Sequence, residues 1–314
     1  MIGVRTVDGL QALTLATAEA GGVEVAFVPD AGMVGCSLRH RGEELLGQRR
    51  GLRAYVADRA TMGIPLLYPW ANRVASRRFS VAGREVVIDP DSTPLRLDPN
   101  GLPMHGLLTA AAGWEVERHE ATPDGAALGA RFDFAAHDAL MAAFPFAHEV
   151  LFEATLTGPT LTIATTVRAA HDSPVPIAFG FHPYLRLPNV ARSDWRIEVP
   201  VHEQLRLGPD MLPTGERVEA HIHAGRLDAR TFDDAYAAPE GPSPFVLAGG
   251  GRRIEVSFVD GYRYAQVFAP AEDDVIAFEP MTAPANALVD AGPDLGVLAP
   301  GERFTATFSI AISQ

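Results

Sequence analysis

Two short segments carry the residue types that proton transfer needs. FGFHPYLRLP (179–188) places His182 among apolar neighbours and just before a proline, and DVIAFEPMT (274–282) does the same with Glu279. Alternate residues of a strand face opposite sides of a sheet. In the first segment Phe179 and Phe181 therefore share one face, while Ala178, Gly180 and His182 share the other. In the second, Ile276 and Phe278 oppose Val275, Ala277 and Glu279. Taken alone, His182 reads more readily as a satisfied structural histidine at a turn than as a group facing a ligand. The repetition favours the second reading, because a carboxylate in so apolar a tract needs a partner or a task. Small residues on the polar face predict space for a ligand, and Pro183 and Pro280 predict strand ends. Unperturbed pKa values are about 4.3 for Glu and about 6.5 for His. The expectation is an ionised Glu279 and an imidazole close to protonation, which together make an acid–base couple.

Other polar or aromatic groups lie within apolar runs. GIPLLYPWANRVA (63–75) brings Trp70, a flat surface for a ring-shaped ligand, close to Asn72 and Arg73. NGLPMHGLL (100–108) sets His105 before a glycine that allows close approach of backbone or ligand. RTFDDAYA (230–237) offers Asp233 and Asp234, and either of the two can be the one presented. HIH at 221 and 223 would put two imidazoles on one strand face, but no third ligand follows at metal-site spacing, so no metal is expected. AGGGR (248–252) lacks the setting of a phosphate loop and reads as a hairpin turn.

The elements that position these groups are predicted to be strands. FSVAGREVVI (79–88) reads as a hairpin about Ala82-Gly83, and HEVLFEATLTGPTLTIATTVRAA (148–170) as two strands about Gly158-Pro159. The 29 glycines and 25 prolines punctuate many further short alternating runs, and no long segment keeps a helical period. This pattern predicts an all-β sandwich or barrel. No linker, repeat or low-complexity tract divides residues 1–314, so one domain is expected.

Composition narrows the chemistry. The net charge of -13 opposes nucleic acid as a partner and suits a small ligand. All 26 basic residues are arginine, which removes Schiff-base chemistry. Cys36 is the only cysteine, so neither an intramolecular disulfide nor a cysteine zinc cluster can form. The opening MIGVRTVDGL lacks a signal-peptide pattern, and no apolar run nears the ~18 residues of a membrane helix. A cytoplasmic protein without membrane partners is expected.

In order and combination, YPWANRVASRRFSVAGR, NGLPMHGLL, FGFHPYLRL, TFDDAYA and VIAFEPMTAPANAL resemble the aldose 1-epimerase, or galactose mutarotase, family. The resemblance implies one large antiparallel β-sandwich with a sugar lying across a curved sheet, and a reaction that needs no cofactor. It implies His182 as general acid and Glu279 as general base. It further implies sugar contacts from His105 and Arg73, with Asp233 accepting from sugar hydroxyls. Phe181 and Arg186 depart from the family pattern. GIPLLYPW also resembles hexose-6-phosphate epimerases, for which Arg77, Arg78 and Arg186 are the phosphate candidates. A non-catalytic sugar binder and a retaining glycosidase using Asp233 and Glu279 are the other readings.

Overall fold

The long strands follow from strict alternation. His148–Thr157, Thr160–Ala169 and Arg303–Ser313 each bury every second side chain, as a sheet with one face against a core requires. In the computed structural model, which describes every residue except Ala20, Glu240 and Pro242, these three strands lie in a nine-stranded sheet. An eight-stranded sheet and a five-stranded N-terminal sheet accompany it. Every strand pairing within them is antiparallel. The expected hairpins are present, with turns at Ala82-Gly83, at Gly158-Pro159 and at Gly250-Gly251 within AGGGR. The all-β sandwich is the observed fold, and of the two architectures left open by the pattern it is the barrel that drops out.

One buried apolar cluster joins the inner faces of all three sheets. Phe181 of the eight-stranded sheet meets Phe308 of the nine-stranded sheet at 4.9 Å, and Phe278 meets Phe245 at 5.3 Å. Phe27 of the N-terminal sheet reaches Phe152 at 5.3 Å. Such pairs add about 0.5–1.5 kcal/mol each beyond the burial of their area. They fix the inner faces of the strands Gly180–Phe181 and Ile276–Met281, and so determine what the outer faces present.

The register between those strands is the central fact of the fold. Gly180 pairs with Met281, and four residues on Tyr184 pairs with Ala277. An unbroken register between these two points sets His182 directly opposite Glu279. The His182 N–H turns the other way, to the Pro65 carbonyl at 3.3 Å. The pair is therefore of the non-hydrogen-bonded kind, in which facing side chains come closest. Two expectations need correction here. Pro183 does interrupt its strand as expected, since Gly180–Phe181 stops just before His182 and pairing resumes at Tyr184, but Pro280 lies within Ile276–Met281 and ends nothing. Each proline removes one N–H donor, so the ladder opens locally beside the two polar residues. Nor is Gly180 small to make room for a ligand. A Cβ there would lie 2.6 Å from the Pro280 carbonyl oxygen and 3.1 Å from Met281 Cγ, so the missing side chain is what lets the strands approach.

The segment around Tyr68 ties a second loop to this sheet. The Tyr68 carbonyl accepts from the N–H groups of Leu107 and Leu108, at 2.6 and 3.0 Å, and the Asn72 carbonyl accepts from that of His105 at 2.8 Å. Gly106 has φ +71°, and a Cβ on it would strike the Tyr68 carbonyl oxygen at 2.2 Å. Beneath, the Tyr68 hydroxyl meets His148 Nε2 at 2.6 Å, and His148 Nδ1 meets the Phe146 carbonyl at 2.5 Å. A carbonyl can only accept, so Nδ1 carries the proton and Nε2 accepts from the tyrosine. Burial pushes the pKa of His148 down to about 4, in keeping with this neutral tautomer. His221 and His223 fall outside the strands, and His221 instead meets Glu219 at 2.8 Å. No described helix is long and apolar enough to cross a membrane.

His148→Leu would leave the Tyr68 hydroxyl and the Phe146 carbonyl buried without partners. A loss of about 2–5 kcal/mol is expected. Equilibrium urea unfolding measures it, and a loss below about 0.5 kcal/mol would show that the network carries little of the stability.

Candidate active site

A cleft of about 260 Å³ opens on the outer face of the eight-stranded sheet, with His182 and Glu279 among its lining residues. His182 Nε2 lies 3.2 Å from Glu279 Oε1, and the two residues are only 5% and 1% exposed. Burial pushes the His182 imidazole down to about 3, and the Arg49 guanidinium adds to this, with a smaller push from Arg96. Burial likewise holds the Glu279 carboxyl well above the usual carboxylate range, and the Asp233 charge reinforces it against the pull of Arg73. This differs from the sequence expectation of an ionised glutamate beside a nearly protonated histidine. The low-dielectric site disfavours both charges, so burial favours the neutral imidazole beside the protonated carboxyl. His182 Nδ1 and Glu279 Oε2 are both buried without a protein partner.

Neighbouring groups hold the imidazole in place. The Tyr184 ring stacks on it with centroids 4.0 Å apart, and Phe268 meets it edge-on at 5.3 Å. Tyr184 is two residues beyond His182, hence on the same face, and the parity argument applied one step further would have found it. Its hydroxyl lies 2.7 Å from Thr61 Oγ1, and burial pushes its pKa up to about 12. His105 completes the group, with its ring 6.0 Å from that of His182 and perpendicular to it. Burial holds the His105 imidazole well below its ordinary value, and the neighbouring His182 and Arg96 act in the same direction.

Of the other residues singled out in the sequence, Asn72, Arg73 and Asp233 line the cleft. Arg73 Nε bonds Asp98 Oδ2 at 2.8 Å. Burial pushes the Asp98 carboxyl up, but the N–H groups of Leu102 and Asn100 and the Arg73 guanidinium outweigh it and keep the group below its ordinary pKa. That buried carboxylate fixes where Arg73 points. The Asp233 or Asp234 choice is settled by strand parity. Asp233 accepts from Gln266 Nε2 at 2.7 Å on the cleft face, whereas Asp234 shares its face with Phe232 and Tyr236 and accepts from Gln204 at 3.0 Å.

Trp70 does not reach the cleft. It is 1% exposed and packs in the main core together with Leu66 and Tyr68, on the opposite face from Leu67 and Ala71. The three arginines named for a phosphate are elsewhere too. Arg77 bonds the Gly101 carbonyl, Arg78 pairs with Glu85, and Arg186 lines a separate depression beside Glu272 and Asp273. Sequence reasoning missed Arg49, Arg50 and Arg96, which do line the cleft. They sit in stretches without strand periodicity, so no pattern marked them.

An antiparallel β-sandwich with a buried imidazole–carboxyl pair in a polar cleft is a scaffold for acid–base chemistry on a small polar ligand. The chain belongs to the aldose 1-epimerase family, whose model matches residues 18–311. Solved structures share the fold at low identity. A galactose mutarotase-like protein from Clostridium acetobutylicum is 17% identical with a TM-score of 0.86, and the match covers 100% of this chain and 98% of that one. A protein from Synechocystis sp. PCC 6803 is 24% identical with a TM-score of 0.76, covering 96% and 95%. A galactose 1-epimerase from Lactobacillus acidophilus NCFM is 14% identical with a TM-score of 0.76, covering 100% and 98%. No curated protein matches the chain in sequence.

The buried imidazoles also predict how stability depends on pH. His105, His148 and His182 have folded-state pKa values below the ordinary ~6.5, so on acidification the unfolded chain gains three protons that the folded chain refuses. Glu279 has the opposite sign, since the folded chain keeps a proton that the unfolded chain loses above ~4.3. The histidine contribution is complete above pH ~6.5 and falls as the pH drops towards about 4 and then about 3, while Glu279 opposes it. Thermal melts across this range should show the decline, and His182→Ala should make it shallower. An unchanged slope in that variant would mean that its imidazole is solvated.

Proposed function

We propose that the protein is a mutarotase, interconverting the α and β anomers of a free aldose such as glucose or galactose. The observation that carries this reading is the 3.2 Å separation of His182 Nε2 and Glu279 Oε1 on the cleft floor. An aldopyranose carries two oxygens on C1, the hydroxyl O1 and the ring oxygen. A donor and an acceptor this close can address both at once.

Ring opening needs a proton taken from O1 and a proton given to the ring oxygen as the C1–O bond breaks. With the proton on His182, Glu279 accepts from O1 while Nε2 donates to the ring oxygen. The pair ends with a neutral imidazole and a protonated carboxyl, the arrangement that burial favours. After rotation about C1–C2, Glu279 returns its proton to O1 and His182 recovers one from the former ring oxygen as the ring closes on the other face. At every stage the pair holds one transferable proton and no net charge, so a poorly solvated site does not penalise the cycle. In this reading Asp233, Asn72, Arg73 and His105, which line the cleft, hold hydroxyl groups and orient the ring.

His182→Ala and Glu279→Ala should each lower the enzymatic mutarotation rate by about 10²–10⁴-fold, with far-UV circular dichroism unchanged. Polarimetry of freshly dissolved α-D-glucose or α-D-galactose measures this, and near-wild-type rates in either variant would remove its assigned role. Methyl glycosides lack the O1 proton and should remain untouched, whereas a glycosidase would cleave them. Sugar affinity without faster anomerisation would mark a binding protein instead.

The pH dependence should be flat across neutrality. Acid adds a second proton to the pair only as the pH nears the depressed value of His182, about 3, and base removes the first only above the raised value of Glu279. Initial rates should show no inflection near ~6.5, where a solvated imidazole titrates. An inflection there would overturn the shared-proton account.

A further inference from the structure

The cleft carries more positive charge than this reaction requires. In a chain of net charge -13, its lining holds four arginines, at 49, 50, 73 and 96, against two acids, Asp233 and Glu279. Three of the arginines have carboxylate partners. Arg73 meets Asp98 at 2.8 Å, Arg50 meets Asp58 at 2.7 Å, and Arg49 lies a looser 3.5 Å from Asp273.

Arg96 has none among the described residues. Its side chain bonds only Thr61 Oγ1, at 3.3 Å, although it is partly buried and stands among cations. Burial pushes its pKa down, and Arg49, Arg73 and Arg50 add to this. A partly desolvated guanidinium without a counter-charge is costly, and a bound anion relieves that cost. Arg49 stands beside it, with its guanidinium 5.0 Å from the centre of the Tyr184 ring and 5.7 Å from that of Phe268. The rings engage its flat face, and a guanidinium directs its N–H donors outwards along its rim.

The position of these two cations relative to the reacting pair gives them a role. In an aldopyranose the ring oxygen is bonded to both C1 and C5, so the substituent on C5 leaves the ring beside that oxygen. With Glu279 at O1 and His182 at the ring oxygen, the C5 substituent departs on the His182 side. Arg49 lies over the Tyr184 ring that stacks on His182 at 4.0 Å, and Arg96 bonds Thr61, whose hydroxyl lies 2.7 Å from that of Tyr184, so both cations stand on the His182 side.

We propose that the substrate is an anionic aldose, whose terminal carbon, C6 in a hexose, bears a phosphate or carboxylate that ion-pairs with Arg96 and Arg49. This rests on the mutarotase reading and names its substrate class. The anion also serves the chemistry, because neutralising the two guanidiniums removes part of what opposes a charged His182 imidazole. Substrate charge then assists the turnover step as well as binding.

The test compares glucose, glucose 6-phosphate and glucuronate by NMR exchange, each rate taken above that sugar's own uncatalysed anomerisation. For at least one anionic sugar, kcat/KM should exceed that for glucose by about tenfold or more, the increment of one charge-assisted contact. The two anionic sugars distinguish phosphate from carboxylate recognition. Arg96→Gln and, independently, Arg49→Gln should each shrink the anionic-to-neutral ratio by about tenfold. Equal or better turnover of glucose, or ratios unchanged in both variants, would overturn the proposal while leaving the mutarotase reading intact. Acceleration of no aldose by the wild-type protein would overturn that reading, and this one with it.

Discussion

The arrangement depends on one cross-strand pair. His182 and Glu279 are brought together by the register between Gly180–Phe181, Tyr184–Leu185 and Ile276–Met281, not by a loop that could drift. A register shift of one residue would send both side chains into the aromatic core and two phenylalanines into the cleft. The inner-face contacts of Phe181 with Phe308 and of Phe278 with Phe245 resist that shift. Packing on one side of the sheet thereby specifies chemistry on the other.

The electrostatics follow from burial. A dry site favours neutral groups, and the imidazole and the carboxyl, 3.2 Å apart, are each shifted towards their neutral forms. Around it the field is graded. Guanidiniums of Arg49 and Arg96 act on the imidazole, and the Asp233 carboxylate acts on Glu279, so both neighbours favour the same tautomer that desolvation does. Arginines 49, 50, 73 and 96 all line the cleft, so its positive field is carried by planar guanidiniums.

Much of this was legible in the sequence. Strand alternation gave the hairpins, the facing of both segments and the sandwich class, because period-two burial is a local property. The order of motifs, not any single residue, carried the family. What stayed hidden was set by distant pairing. Nothing near Gly180 says that it faces the Pro280 carbonyl, and small residues there read wrongly as ligand space. Trp70 lay next to the right residues but on the wrong face, a distinction that needs the parity of Leu66 and Tyr68 as well. Arg49 and Arg96 come from irregular segments whose arrival at the cleft depends on the whole tertiary fold.

Gly180 illustrates how far function extends beyond functional groups. It has no side chain, yet the close approach of the strands that carry His182 and Glu279 depends on the absence of its methyl group. The molecule keeps its precision there as empty space between two backbones.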